Sequence, residues 1–338
     1  MKKFRIFICL FAVLFLTSCV RKEKLKISAS FDEFTTLVNI TLFGISPNDT
    51  SKAADAMEKS RNILSYFNRE MNSYDENSSI SVLNRTVPGN KTPVPESLRE
   101  ILEVSRNIHE YTDGAFDIAI LPLADLWRES IISSKSVPSS AEIENILPFS
   151  RLDCYIFEDD SVTVRDSRCR IGLAGIAKGY AVDSVASYLN GQGFTDFIVE
   201  AGGDLTVFSP KKKAVGIKHP RNEGKLIDSI YISYGSVASS GDYEKFIIHD
   251  GQRYSHIINP ATGYGISDCI AATVISEKAY LSDAFATAAV VMGKERARTL
   301  IKDNKLSGII YFLDENGQVA SYKINMSAYE KNETEGIR

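Results

Sequence analysis

Phe197-Ile198-Val199-Glu200-Ala201-Gly202-Gly203-Asp204-Leu205-Thr206-Val207-Phe208 is the stretch that decides the fold class. Residues 197–200 and 205–208 are β-rich runs, and a turn with paired glycines separates them. Strand follows strand here with no helix between. Downstream, residues 214–217, 227–233, 237–240 and 271–274 also read as strands, and 308–312 as a closing one. Helices and antiparallel strands thus come in blocks and not as a regular βαβ alternation, which predicts an α+β fold. The glycine pair also lets a ligand or another backbone approach closely.

Upstream, residues 36–43 alternate and are β-branched, hence a strand. Asn48-Asp49-Thr50-Ser51 caps a helix over 52–68. Leu98, Ile101, Leu102, Val104 and Ile108 give the spacing of another over 97–112, which Asp113-Gly114 ends. The stretch 115–127 begins as loop, and 139–146 reads as a short helix. Residues 154–157 and 162–165, joined by Glu158-Asp159-Asp160-Ser161, form a hairpin. A helix over 178–192 precedes the deciding stretch.

The 338 residues are 44% hydrophobic with a formal net charge of −4. That composition suits a folded body with a substantial core, in one large domain or two interleaved lobes. Mild acidity, without a basic patch and interleaved aromatics, argues against nucleic acid as partner. Met1-Lys2-Lys3-Phe4-Arg5 is a basic leader, and residues 6–16 are an apolar segment too short to span a bilayer. Leu16-Thr17-Ser18-Cys19 resembles a bacterial lipobox, which implies cleavage before Cys19 and its lipidation. An ordinary signal peptide is the alternative. The domain reading is a signal peptide over 1–18, a lipidated Cys19 with tether over 19–30, a catalytic domain over 31–326 and a charged tail over 327–338. The mature protein is expected to be exported and lipid-anchored to a bacterial membrane, facing the periplasm. Cys154, Cys169 and Cys269 fit no zinc site, and plain buried thiols are preferred to a Cys154–Cys169 bridge.

Two clusters carry the chemistry: Ser255-His256-Ile257-Ile258-Asn259-Pro260-Ala261-Thr262-Gly263, and Ser282-Asp283-Ala284-Phe285-Ala286-Thr287. Asp283 and Thr287 stand four apart in an Ala-rich helix, so their oxygens share one face. A hard cation such as Mg²⁺ accepts both oxygens. The alternative is a capping Asp with Thr287 bonded back to a carbonyl. Gly172-Leu173-Ala174-Gly175-Ile176-Ala177-Lys178-Gly179 runs from a strand into a helix start, where free N–H groups favour phosphate and Lys178 adds charge.

Joined to Met71–Asn84, to Thr112-Asp113-Gly114-Ala115-Phe116-Asp117 with Leu126-Trp127, to Glu200-Ala201-Gly202-Gly203-Asp204 and to Gly216-Ile217-Lys218-His219-Pro220, these blocks resemble the ApbE family of FAD:protein FMN transferases. The resemblance runs in order over about residues 34–293. It implies a T-fold-like α+β body with antiparallel sheets and packed helices around an FAD cleft. It also implies Mg²⁺-dependent transfer of FMN from FAD to a Thr or Ser hydroxyl of target flavoproteins, membrane redox complexes among them, with release of AMP.

Carried over by position, the metal ligands are the Gly175 carbonyl, Asp283 and Thr287. Tyr74, Ala115, Phe116, Asp117, Lys178 and Ile258 contact FAD. His256 lies at the reacting pyrophosphate, as base or as phosphate ligand, and Asp283 and His256 are the catalytic pair. The chain departs from the family pattern at Phe34-Thr35-Thr36, where Met-Gly-Thr is usual, and at Gly172, Glu200 and Asn259, where Asp is usual. A Mg²⁺-dependent FAD pyrophosphatase and a non-enzymatic FAD-binding lipoprotein are the alternatives.

Overall fold

The first alternating run of the chain becomes a sheet edge. The structure is a computed structural model that describes residues 23–265 and 268–331. The expected signal peptide, Cys19 and residues 332–338 of the expected tail lie outside these. Leu25–Glu33 (β1) pairs antiparallel with Thr36–Ile45 (β2) across a turn in which Phe34 and Thr35 take positive φ. β1 overlaps the segment expected as tether, so the folded body starts at Leu25 and not at residue 31. Exposed Lys24 and Lys26 mask the period in the sequence, while Ile27, Ala29 and Phe31 alternate onto the core.

A one-turn helix capped by Ser46 leads into Thr50–Met71 (α1), so the cap lies upstream of the expected 48–51. Ser79–Asn84 (α2), Lys91–Pro93 (β3), Glu96–Tyr111 (α3), Leu121–Glu129 (α4), Ser140–Ile146 (α5), Tyr155–Phe157 (β4) and Ser161–Val164 (β5) then build a smaller lobe. The expected hairpin gains a third strand, in the order β3-β5-β4. Cys154 and Cys169 are joined in a disulfide with Cα atoms 6.2 Å apart, which corrects the expectation of free thiols. The odd cysteine is Cys269, buried and free. Closing a loop of this length is worth about 3 kcal/mol in the chain-entropy picture.

The larger lobe follows with Ala177–Gly191 (α6), Phe197–Ala201 (β6), Asp204–Lys218 (β7), Leu226–Gly241 (β8) and a small hairpin of Phe246–His249 (β9) and Gln252–Ser255 (β10). Cys269–Ser276 (β11), Ala279–Met292 (α7), Lys294–Asp303 (α8), Ser307–Leu313 (β12) and Val319–Ile324 (β13) complete it. Eight strands form one antiparallel sheet in the order β1-β2-β6-β7-β8-β11-β12-β13, as the α+β reading expects. The runs expected at 205–208 and 214–217 are one strand. Its register shifts between Phe208 and Lys213, which confines Pro210 to the irregularity where it costs no ladder bond. The tail expected to fray from residue 327 begins instead with a docked turn, whose Ala328 and Glu330 carbonyls accept from Lys212 Nζ.

Period-two alternation gives the sheet two apolar faces. On β11, Ala272 and Val274 join the core beneath α7, while Ala271 and Ile275 join a second cluster with Val207 and Tyr311. The core beneath α7 runs on into the smaller lobe through Leu98, Ile101 and Val164.

Helices α6 and α7 meet more closely than side chains usually permit. A Cβ on Gly179 would lie 2.5 Å from the Tyr280 amide nitrogen. One turn later, Asp183 accepts from the Ala279 and Tyr280 amides at 2.9 and 3.2 Å, capping α7 from a neighbouring helix in place of its own Lys278. We predict that Asp183→Ala lowers stability by about 1–2 kcal/mol through the lost cap. Gly179→Ala should lower it by about 1–3 kcal/mol through overpacking. Urea unfolding of the two variants measures both, and a neutral Gly179→Ala would contradict the contact.

Candidate active site

The α6–α7 contact sets Lys178, in the first turn of α6, against Asp283 on α7. Lys178 Nζ lies 3.3 Å from Asp283 Oδ2 and 3.1 Å from Oδ2 of Asp204, the first residue of β7. It also donates to the Ala174 carbonyl at 3.0 Å. Both carboxylates are buried. Burial alone pulls the Lys178 pKa down, but Asp204 and Asp283 outweigh it and hold the ammonium well above its usual value. Burial, with Asp283 as second cause, pushes the Asp204 carboxyl up against the pull of Lys178. Asp204 Oδ2 makes no aligned hydrogen bond, so its contact with Lys178 is an ion pair only.

Asp283 and Thr287 share a face of α7 as their spacing requires, and both line the cleft between the lobes. Thr287 Oγ1 is 3.1 Å from Ser240 Oγ at the end of β8. A Cβ on Gly175 would lie 3.6 Å from the same Oγ1, so the Gly175 loop and Thr287 are neighbours. Among the described residues no three His, Cys, Asp or Glu side chains gather as a metal-binding group. A cation here would therefore take few carboxylates and several neutral oxygens. That donor set fits Mg²⁺, which keeps open positions for substrate phosphates and water. The buried Asp204 Oδ2, which makes no hydrogen bond, is an orphaned polar atom in the same cleft.

His256 follows β10 directly and lines the same cleft. Its backbone N–H donates to the Lys245 carbonyl at 3.0 Å and its Nδ1 to the same oxygen at 3.2 Å. A carbonyl only accepts, so Nδ1 carries the proton and Nε2 is left with a lone pair. Burial lowers the His256 pKa, against a smaller opposing effect of Glu244, and favours this neutral form.

The other nominated groups line the same cleft. Tyr74 stands half-exposed at its rim with the Arg128 guanidinium 4.6 Å over its ring. Ala115, Phe116 and Asp117 arrive on the loop before α4. Asp117 directs its carboxylate into the loop, accepting from the Ala119 and Leu152 amides at 2.8 and 3.1 Å. Ile258 is buried, and its loop is anchored by Trp127, whose Nε1 donates to the Gly263 carbonyl at 2.7 Å. Asn84 grips Ile171 through both its amide N–H (2.7 Å) and carbonyl (2.9 Å), fixing the backbone one residue before Gly172. Ten residues nominated from the sequence thus share one cleft: Tyr74, Ala115, Phe116, Asp117, Gly175, Lys178, His256, Ile258, Asp283 and Thr287. Cys19 lies outside the described residues.

The profile of the ApbE family matches residues 34–311. The chain belongs to the ApbE family. A relative from Vibrio cholerae named FAD:protein FMN transferase is 27% identical over 263 residues, covering 75% of this chain and 78% of its own. One of the same name from Escherichia coli is 26% identical over 290 residues, 82% of each chain. Among solved structures, the ApbE protein of Thermotoga maritima superposes with a TM-score of 0.79 at 29% identity, over 91% of this chain and 100% of that one. The flavin transferase ApbE from Vibrio cholerae gives 0.79 at 25%, over 90% and 98%. Within this ApbE chain, sequence reasoning passed over Asp204 and Trp127 as site residues. Asp204 was readable as an acid immediately after two glycines at a strand start. Trp127 had no local signal, because its partner Gly263 is 136 residues away.

The protonation state of His256 is directly testable. Its folded-state pKa should lie below its ordinary 6.5. Protonation then favours the unfolded chain, so its contribution to stability is whole above that value and erodes as pH falls through it. An NMR titration of the His256 ring should give a midpoint under 6.5. A midpoint above it would remove the neutral Nδ1–H form at neutral pH.

Proposed function

We propose that this chain transfers the FMN moiety of FAD to a Thr or Ser hydroxyl of target flavoproteins, releases AMP and uses Mg²⁺. The observation that carries the reading is the convergence of His256, Lys178, Asp283, Thr287 and Gly175 on one cleft, in a chain whose relatives are named FAD:protein FMN transferase. Asp283, the Thr287 hydroxyl and the Gly175 carbonyl would hold the cation, which when bound supplies positive charge to the non-bridging oxygens of the pyrophosphate.

The acceptor oxygen attacks the phosphorus attached to the riboflavin side. A new P–O bond forms, the bond to the bridging oxygen breaks, and that oxygen leaves with AMP. His256 Nε2 takes the hydroxyl proton, oriented by the Nδ1–H bond to Lys245. Lys178 contributes charge to the phosphate oxygens, and Tyr74 at the rim and Phe116 deeper in offer rings to the flavin. Docking the hydroxyl where solvent is excluded favours transfer over hydrolysis.

The purified chain from Glu23 onward, incubated with FAD, Mg²⁺ and an acceptor flavoprotein domain, should yield flavin that survives denaturation, with AMP in equal amount. Free FMN and AMP without labelled acceptor would assign a pyrophosphatase instead, and intact FAD a carrier. His256→Ala should lower the transfer rate by a factor on the order of 10²–10⁴. Asp283→Ala should abolish Mg²⁺-dependent turnover in a protein that remains folded by circular dichroism.

The leader and Cys19 further support export and lipid anchoring at a bacterial membrane. Cys19→Ser should lose fatty-acid label in metabolic labelling and remain active; label retained in that variant would reject the anchor.

A further inference from the structure

Three acceptors surround the Lys178 ammonium: the Ala174 carbonyl at 3.0 Å, Asp204 Oδ2 at 3.1 Å and Asp283 Oδ2 at 3.3 Å. An ammonium has three N–H donors and no more. Ala174 and Asp283 each take one of them, while Asp204 is held by charge without an aligned hydrogen bond. An anion in the cleft competes with these partners for Lys178. The Ala174 carbonyl belongs to the loop that α6 grows from, one turn before Lys178. The choice lies between the two carboxylates.

They are not equivalent. Asp283 shares its helix face with Thr287 and is the carboxylate nominated for the cation. Asp204 stands on a different element, at the start of β7, where its Oδ2 lies 3.1 Å from Lys178 Nζ without an aligned hydrogen bond and Asp283 is its other charged neighbour. A divalent cation that claims Asp283 leaves Lys178 with Asp204 and Ala174 and frees one N–H toward the cleft. Without Asp204, Lys178 has only Asp283 as a counter-charge and competes with the cation for it.

We propose that Asp204 is a positioning residue that takes over the Lys178 ammonium when a divalent cation binds Asp283, so that cation binding switches Lys178 from an internal ion pair to an anion-facing donor. A divalent cation on Asp283 adds positive charge at the cleft floor, where a pyrophosphate would bind. Anion binding at this floor then follows cation binding in order.

The proposal rests on the Mg²⁺ reading of Asp283, and its test uses Mg²⁺ alone, without FAD or acceptor, so it does not depend on whether the chain transfers FMN. Isothermal titration of Mg²⁺ is run on the chain from Glu23 onward as four proteins: unsubstituted, Asp204→Asn, Lys178→Met and the double variant. Asp204→Asn should weaken Mg²⁺ about tenfold where Lys178 is present, and by less than about threefold where it is Met, because the effect passes through Lys178. An equal loss in both backgrounds would make Asp204 a direct ligand, and no loss in either would make it a bystander; each overturns the proposal. Lys178→Met leaves two buried carboxylates without their counter-charge and risks misfolding. A second measurement therefore uses the unsubstituted chain. In a ¹⁵N-lysine-labelled sample the Lys178 ammonium signal should move on addition of Mg²⁺ alone. A signal unchanged at Mg²⁺ saturation overturns the proposal.

Discussion

The close contact of α6 with α7 is the constraint on which the rest of this molecule depends. Gly179 lets the helices touch backbone to backbone, and Asp183 takes up the first amides of α7. Both residues lie on the helix that carries Lys178, within about one and a half turns of it. The same contact that builds the core beneath the sheet therefore fixes the distance between a lysine and the carboxylate on the neighbouring helix. Structural and chemical requirements fall on the same few residues. Little freedom remains to relax one without disturbing the other.

The cleft is assembled from both lobes, and each wall is braced by a long-range polar bond. Asn84 clamps Ile171, Asp117 gathers Ala119 and Leu152, and Trp127 reaches Gly263. These are bonds to backbone groups, and they set loop shape. Lys178, Asp204 and Asp283 meet in the same cleft, and His256 is held towards its neutral form.

Much of this was legible in the sequence where chemistry and period coincide. The Asp283–Thr287 spacing gives a shared helix face in any α-helix, and the deciding stretch at 197–208 does form two paired strands. Legibility failed where local signals conflicted. Pro210 and the lysine run after it suggested a break inside β7, yet the sheet absorbs them in a register shift. Lysines hid β1, and the Cys154–Cys169 bond could not be read from spacing because the third cysteine belongs to β11. Asp204 was passed over for a physical reason as well. Its importance comes from a lysine 26 positions earlier in the chain, and only the packing of α6 against β7 brings them together.

Where β1 begins has a consequence for reach. With a lipid on Cys19 as proposed, six residue steps separate the membrane surface from the first strand at Leu25. Fully extended, that length spans no more than about 21 Å. The sheet edge would then ride within roughly a protein's own radius of the bilayer, and the cleft would sample a thin layer of space rather than the whole compartment. Selection among hydroxyl-bearing proteins would begin with altitude: a segment that cannot come down to that layer is excluded before any side chain has been compared.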